Sequence, residues 1–182
     1  ESILKEIKEA GRGKVYNCVV GVSGGTDSSY LAYLAKEVWG LRPLAVHYDN
    51  TWNSAIATMN IQKVLAGLDI DLYTHVVDNK EADDIFRSFF LSGVAEIDSS
   101  TDLGYAYLLR QVAAKYSVKF ILEGHSFTTE GVTPLGRNYF DGRYIQFIHK
   151  NFGRLPLKTY PLMTLSRFLK SAVIDRVKFI RP

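Results

Sequence analysis

Residues 15–28 read VYNCVVGVSGGTDS, an apolar run followed by two adjacent glycines and a short polar segment. The apolar part, from Val15 to Val22, has the β-branched composition of a buried strand. Gly24 and Gly25 permit backbone conformations that other residues avoid, so that consecutive N–H groups can converge on an anion. The next helix adds unpaired N–H groups and the positive end of its dipole. The pattern predicts a phosphate-binding turn that is formed by Ser23, Gly24, Gly25, Thr26, Asp27 and Ser28.

Asp27 is the most informative residue of this turn. A carboxylate within a phosphate site would repel the ligand unless a divalent cation lay between them, so Asp27 indicates Mg²⁺. We therefore predict that Asp27 is both a metal ligand and a catalytic residue. The alternative is an ordinary turn in which Asp27 or Ser28 serves only as a helix N-cap. The turn lacks the lysine of GxxxxGK[ST] and the spaced glycines of GxGxxG, and it resembles the SGGxDS pattern of the PP-loop ATP pyrophosphatases.

Along the chain, apolar β-branched runs alternate with segments of helical spacing, which is typical of βαβ units and a parallel sheet. Strands are predicted at 15–22, 43–48, 72–77 and 119–122. Helices are predicted over 28–39, from an N-cap at Asn53, from Glu81 to Gly93, from Ser100 to about Tyr116, and over 164–180. The expected fold class is α/β, a doubly wound parallel sheet of the adenine nucleotide alpha hydrolase-like (PP-loop, Rossmann-like) type.

Ligands of such sheets bind outside the carboxyl ends of the strands, so the turns after the other strands are candidate sites as well. After the second strand, the resemblance to PP-loop enzymes implies that His47 and Asp49 face the adenosine, and Trp52 could stack on a ring. The alternative is a simple turn at Asp49 with Trp52 as a packed aromatic.

After the fourth strand, Gly124 and Glu130 have the spacing of the Gly-Thr-x-x-x-x-Glu run of NAD synthetase-like PP-loop enzymes. That resemblance implies that Gly124 lies in the nucleotide site and that Glu130 joins Asp27 as a Mg²⁺ ligand. His125 stands where those enzymes carry threonine. Three roles for His125 stay open, namely a phosphate contact, a catalytic proton shuttle for ammonia, or a structural histidine.

From Val15 onward the chain resembles the N-acetyl sugar amidotransferases of bacterial surface-polysaccharide (O-antigen) biosynthesis. The resemblance rests on GVSGGTDSSYLAYLAKEVWGLRPLAVHYDNTWN, HVVDNKEADDIFRSFF, EGHSFTTEG and LKTYPLMTLSRFLK. It implies an enzyme that uses ATP and Mg²⁺ to adenylate the acetamido oxygen of a nucleotide-linked sugar, after which ammonia displaces AMP. It also implies a separate glutaminase subunit that supplies the ammonia. Family members usually begin with a cysteine-rich segment and continue past the position of Pro182, so we expect this chain to be part of a longer protein.

We predict a PP-loop ATP-binding domain over 1–136 and a basic extension with a terminal amphipathic helix over 137–182. The extension is either part of the same domain or the start of a truncated region. From Arg137 onward there are 10 Lys and Arg against 2 Asp and Glu, within a net charge of +3. Five basic residues of the extension are candidate ligands for substrate phosphates, namely Arg137, Arg143, Lys150, Arg154 and Lys158. The alternative is that they form a solvated basic face.

Composition narrows the class of protein further. Cys18 is the single cysteine, which excludes internal disulfides and cysteine-rich zinc sites and predicts a small buried hydrophobe. The sequence contains neither an apolar run of about 18 residues nor a signal-peptide pattern, so we expect a cytoplasmic protein without a membrane span.

Two other functions stay open at this stage. One is a PP-loop ligase acting on tRNA, either a thiolase or a lysidine-type ligase, although a two-cysteine thiolase needs a thiol pair that the chain lacks. The other is a nucleotide-binding module without turnover. Nucleic acid is not the expected partner, and a homodimer is compatible with the sequence.

Overall fold

The computed structural model describes residues 2–124 and 141–181, which form a parallel five-stranded sheet with helices on both faces. The strands are β1 Cys18–Gly21, β2 Pro43–Asp49, β3 Leu72–Val76, β4 Phe120–Leu122 and β5 Lys178–Ile180. Their order is β3-β2-β1-β4-β5, and every neighbouring pair is parallel. The predicted doubly wound α/β fold is thus confirmed.

The helices connect these strands and cover the two faces of the sheet. They are α1 Ser2–Ala10, α2 Thr26–Tyr33, α3 Ala55–Leu68, α4 Asn79–Ser92, α5 Ser99–Lys115, α6 Gly142–Phe152 and α7 Leu165–Leu169. Helices α2 and α7 each continue into a π-helical turn, at Leu34–Val38 and Lys170–Ile174. No helix of the described residues is both long and apolar enough to cross a bilayer.

All four residues of β1 are buried. Because successive side chains point to opposite sides of the sheet, the strand is covered on both faces. Val20 packs with Leu31 of α2 and Leu65 of α3 on one face. Val19 packs with Leu108 of α5 on the other face. Helices α2 and α5 therefore lie on opposite sides of β1.

The order of the strands creates a switch point at β1. From β1 the chain proceeds to β2 and β3 on one side, whereas β4 and β5 lie on the other side. In open α/β sheets, ligands bind in the crevice outside the carboxyl ends of the strands at such a reversal. The turns that follow β1 and β4 consequently face the same crevice.

Several predicted boundaries require correction. The strand predicted from Val15 begins at Cys18, and Val15 is exposed. The N-cap of α3 is Ser54, whose hydroxyl accepts a hydrogen bond from Ala57 N at 3.1 Å. Asn53 does not cap, because its amide donates to Asp49 Oδ1 at 3.0 Å instead.

Helices α4 and α5 also begin earlier than predicted, at Asn79 and Ser99, whereas α4 does end at Gly93, which adopts φ +66°. Asp78 caps α4 by accepting hydrogen bonds from the N–H groups of the first turn. This cap explains the early start, since an aspartate before the first turn satisfies donors that would otherwise be unpaired.

The helix predicted over 164–180 is wrong in its second half. The helical backbone ends at Ile174, Arg176 adopts φ +54°, and 178–180 form β5. Lys178 pairs with Phe120, so β5 extends the sheet at the free edge of β4. Leu165, Leu169 and Val173, which belong to the apolar spacing behind this prediction, are exposed.

Two buried carboxylates of α4 hold the segment that follows α6. Glu81 accepts hydrogen bonds from the N–H groups of Thr159 and Tyr160, at 2.9 and 2.6 Å, and from the Thr159 hydroxyl at 3.0 Å. This carboxylate is only 4% exposed, so the bonds compensate for its removal from water.

Asp84, one turn later, binds the same segment through Oδ2. It accepts hydrogen bonds from Arg154 N at 2.7 Å, Leu155 N at 2.9 Å and His149 Nε2 at 3.1 Å. Burial alone would raise the pKa of Asp84, but these hydrogen bonds outweigh burial and leave the pKa below its usual value. The charged form of Asp84 therefore stabilises the folded state.

Candidate active site

The turn after β1 depends on one glycine more than on the other. Gly24 has φ +81°, and a Cβ on it would collide with the backbone of Ala57 in α3. Gly25 has φ −80°, and a Cβ on it would meet only Ser23 Oγ at 3.4 Å. Gly24 is therefore required by both conformation and packing, whereas the backbone conformation of Gly25 is available to other residues.

Ser28 stabilises the backbone of the turn through two hydrogen bonds. Its buried hydroxyl accepts a hydrogen bond from Ser23 N at 3.2 Å and donates one to Gly25 O at 3.2 Å. Because these bonds engage the hydroxyl, Ser28 supports the backbone of the turn from the protein side.

The first turn of α2 is open to a ligand. Its N-cap is Gly25, and no side chain caps it. Because the N-cap is Gly25, neither Asp27 nor Ser28 is the N-cap that the alternative interpretation required, and Thr26 and Asp27 are exposed. Uncapped N–H groups at a helix N-terminus, together with the helix dipole, favour an anion.

Gly124, at the end of β4, lies directly against this turn. A Cβ on Gly124 would stand 3.2 Å from the carbonyl oxygen of Asp27 and 3.4 Å from Leu31 Cδ2. The structure thus brings the turns after β1 and β4 together at the switch point. His125, Glu130 and Arg137 lie outside the described residues, so the predicted pairing of Asp27 with Glu130 stays a prediction.

The residues after β2 form a tight turn. His47 is buried, and its Nδ1 donates to Val22 O at 3.0 Å, which joins the end of β2 to the end of β1. Asp49 Oδ1 accepts hydrogen bonds from Thr51 N at 2.8 Å and from Asn53 Nδ2. Trp52 contacts the ring of Phe86, with centroids 5.0 Å apart, and stays 63% exposed. His47 and Asp49 therefore shape the strand end, and their predicted contact with adenosine stays a prediction.

Comparison with known proteins supports the fold more than any one activity. No protein-family model matches the chain. It is 31% identical over 128 residues to the uncharacterized protein MJ1599 of Methanocaldococcus jannaschii, a match that covers 69% of this chain and 43% of that protein. The chain thus spans less than half the length of this relative.

Among solved structures, the ammonia-dependent NAD synthetase of Campylobacter jejuni superimposes with a TM-score of 0.53 and 15% identity, covering 97% of this chain and 71% of that one. The chain has the PP-loop fold. The NMN synthetase of Francisella tularensis gives a TM-score of 0.49 at 17% identity, covering 97% of this chain and 69% of that one. We call residues 23–28 the PP-loop from here on.

An open groove of about 640 Å³ extends from the PP-loop between α2 and α3. Tyr30, Tyr33, Lys63 and Leu68 line its sides, and Gly24 lines its near end. The groove lies on the α3 side of the PP-loop, and Gly124 is not one of the residues that line it. We place the site at the switch point because the open helix N-terminus and the end of β4 meet there.

Two polar groups near the PP-loop were not identified from the sequence. Glu123, at the end of β4, accepts a hydrogen bond from Arg181 Nε at 2.8 Å. Tyr105 of α5 approaches the last residue of β1, Gly21. A glycine inside a strand can signal a close approach by another group, but only the folded chain shows which group approaches.

The Cys18 thiol is unreactive, and the described residues form no metal-binding cluster. Cys18 is fully buried, and burial raises the pKa of its thiol to about 12, which confirms the prediction of a small buried hydrophobe. In residues 2–124 and 141–181, no three His, Cys, Asp or Glu side chains are grouped to hold a metal ion.

Proposed function

We propose that this chain is the ATP-binding part of an adenylate-forming ligase, which transfers AMP from ATP to a carbonyl oxygen and releases pyrophosphate. One observation carries the proposal, namely the uncapped first turn of α2, which faces the switch point beside Gly24 and Gly124. A structural turn at this position would be expected to satisfy its own N–H groups with a side-chain cap. The PP-loop leaves them for an anionic ligand.

The residues of the PP-loop suit the terminal phosphates of ATP. The N–H groups of Thr26 and Asp27 would bind phosphate oxygens, and Gly24 allows the chain to turn sharply enough to present them. The exposed carboxylate of Asp27, together with Glu130, would hold Mg²⁺. The cation would offset the repulsion between carboxylate and triphosphate and stabilise charge on the phosphates.

We further propose that the carbonyl belongs to the acetamido group of a nucleotide-linked N-acetyl sugar in lipopolysaccharide (O-antigen) biosynthesis. The amide oxygen attacks the α-phosphorus of ATP, so an O–P bond forms while pyrophosphate leaves. Ammonia then attacks the former carbonyl carbon, the C–O bond breaks, AMP leaves, and an acetamidino group remains. Adenylation of the substrate thus splits one difficult displacement into two easier steps, as covalent catalysis does with an enzyme nucleophile.

One observation supports the sugar substrate and another supports ammonia as the second reactant. The four long sequence stretches that resemble the sugar amidotransferases include the PP-loop and the segment around Tyr160. The NAD synthetase that shares the fold is an ammonia-dependent enzyme by its name. We propose that ammonia reaches this site from a separate glutaminase.

A test compares pyrophosphate release by the wild type and by Asp27→Asn, with MgATP, an ammonium salt and a UDP-linked N-acetyl sugar. We expect release by the wild type and a loss of about 100-fold or more in the variant, because positioned metal charge is worth several kcal/mol in the transition state. Asp69→Asn is the matched control, since Asp69 is an exposed left-handed C-cap that asparagine also suits. Release that is unaffected by Asp27→Asn would contradict the proposal.

A tRNA-acting ligase is the second candidate, and one feature favours it. Residues 141–181 contain 9 Lys and Arg against 2 Asp, a balance that attracts a polyanion. Binding to tRNA would weaken steeply with salt, because each neutralised phosphate releases counterions. Affinity for bulk tRNA above that for the UDP-sugar at moderate salt would favour this candidate. ATP binding without pyrophosphate release, for any substrate supplied to the full-length protein, would instead indicate a non-catalytic module.

A further inference from the structure

Tyr105 reaches the crevice from the face of the sheet that carries α5. A Cβ on Gly21 would occupy the position of the Tyr105 hydroxyl, so the phenol fits only because Gly21 has no side chain. Glycine inside a strand costs roughly 0.5–1 kcal/mol relative to alanine. The chain accepts that cost at the last residue of β1, two positions before the PP-loop.

The hydroxyl of Tyr105 has no hydrogen-bond partner within the described part of the chain, although its ring packs against the core cluster that contains Val19 and Leu108. Asn17 Nδ2 is the one fully buried side-chain N or O atom without a partner in that part, so the Tyr105 hydroxyl is not completely enclosed, although the side chain is largely buried. The ring is thus held by packing, while its polar end is left for another group. Phenylalanine would pack as well without the unpaired hydroxyl.

Tyr105 and the PP-loop approach the crevice from opposite faces. Helix α2, which begins in the PP-loop, packs on the face of Val20, and α5 packs on the face of Val19. A nucleotide whose phosphates lie at the start of α2 can place its nucleoside over the end of β1, where the Tyr105 hydroxyl lies against Gly21. Tyr105 and Glu123 are polar groups at that end.

The protonation state of Tyr105 suits a hydrogen-bond donor. Burial, followed by the negative charge of Glu123, raises the pKa of Tyr105 well above its usual value. The phenol consequently keeps its proton throughout the neutral range. A neutral hydroxyl can donate to an oxygen or a ring nitrogen without bringing a second negative charge close to the triphosphate.

We propose that the Tyr105 hydroxyl donates a hydrogen bond to the nucleoside half of the bound nucleotide and thereby distinguishes ATP from inorganic polyphosphate. This inference rests on the proposed function, because it requires ATP in the PP-loop. Gly21 has a positioning role in it, since only glycine leaves room for the hydroxyl.

The test is calorimetric titration of the full chain with MgATP and, separately, with magnesium tripolyphosphate. For Tyr105→Phe we expect ATP affinity to fall about 5- to 10-fold and tripolyphosphate affinity to stay within about 2-fold, as for one lost hydrogen bond. Tyr16→Phe is the matched control, because the Tyr16 hydroxyl donates to Asp71 just before β3. That bond lies at the amino ends of the strands, opposite the crevice. Tyr16→Phe should leave both affinities unchanged.

The outcomes separate this inference from the proposed function. A wild type that binds neither ligand would overturn both. A wild type that binds ATP, with a Tyr105→Phe variant indistinguishable from Tyr16→Phe, would overturn only the role of Tyr105. Equal losses for ATP and tripolyphosphate would also overturn it, because they would indicate a damaged PP-loop. Gly21→Ala, which displaces the hydroxyl, should reproduce the selective loss.

Discussion

Two helical aspartates show how this chain separates stability from function. Asp84 in α4 is 6% exposed, and its Oδ2 accepts three hydrogen bonds from the segment after α6. Asp27 in α2 is exposed and makes no side-chain hydrogen bond or ion pair with the described residues. A carboxylate whose acceptors are occupied holds the fold together, whereas an open carboxylate beside open N–H groups is available to a ligand.

The glycines of the PP-loop give the largest expected effect. Gly24→Ala should destabilise the protein by about 3 kcal/mol or more, because a positive φ is strained for alanine and the new Cβ collides with Ala57. Gly25→Ala should change stability by less than about 1 kcal/mol, since its Cβ meets little. Urea unfolding of both variants measures the difference. Equal stabilities would show that the conformation of Gly24 is not required.

The buried carboxylate comes next. Asp84→Asn should lower the free energy of unfolding by about 2–3 kcal/mol, because it weakens charge-assisted hydrogen bonds and leaves buried donors poorly paired. ATP affinity should not change. Asp83→Asn is the matched control, since Asp83 is its exposed neighbour on α4. Chemical denaturation of both variants tests this. An Asp84→Asn variant as stable as the wild type would show that Asp84 does not stabilise the fold.

The pH dependence of that effect has a defined sign. Because the folded-state pKa of Asp84 lies below its ordinary value of 3.8, its stabilisation is complete above that value. As the pH falls below 3.8 and through the lowered folded-state pKa, the wild type should lose its advantage over Asp84→Asn. Unfolding curves between about pH 6 and pH 2.5 would show the two stabilities converging. A constant difference over that range would contradict the assignment.

The smallest expected effect concerns the support of the PP-loop. Ser28→Ala removes the acceptor for Ser23 N and should cost about 1 kcal/mol of stability and weaken ATP binding several-fold. Ser29→Ala loses one bond from its hydroxyl to the carbonyl of the N-cap Gly25 but leaves the acceptor for Ser23 N in place, so it serves as the control. Thermal melting and ATP titration measure both changes. Parallel behaviour of the two variants would mean that Ser28 does not shape the loop.

Local patterns were sufficient to predict much of this fold. The four longer apolar runs predicted β1 to β4, and the glycine pair after β1 predicted a turn into a helix whose first N–H groups are unpaired. Strand β5 was missed because the helical spacing was extended through 178–180, and three residues form a strand only where the edge of β4 is available to pair with them. The caps at Ser54 and Asp78 were missed because neighbouring polar residues offered equally good candidates.

Contacts between distant segments could not be predicted from one sequence. Glu81 and Asp84 look like ordinary acidic residues of a first helical turn until the segment after α6 folds onto them. The approach of Tyr105 to Gly21 likewise depends on how α5 packs on β1. Such contacts result from tertiary packing, for which local spacing carries no signal.

The central claim is that the PP-loop binds a magnesium-bound triphosphate through Asp27. Its most direct test is calorimetric titration of the wild type and Asp27→Asn with ATP, each with and without Mg²⁺. We predict that Mg²⁺ strengthens ATP binding to the wild type and has little effect on Asp27→Asn. The same Mg²⁺ dependence in both proteins, or no binding of ATP to the wild type, would contradict the claim.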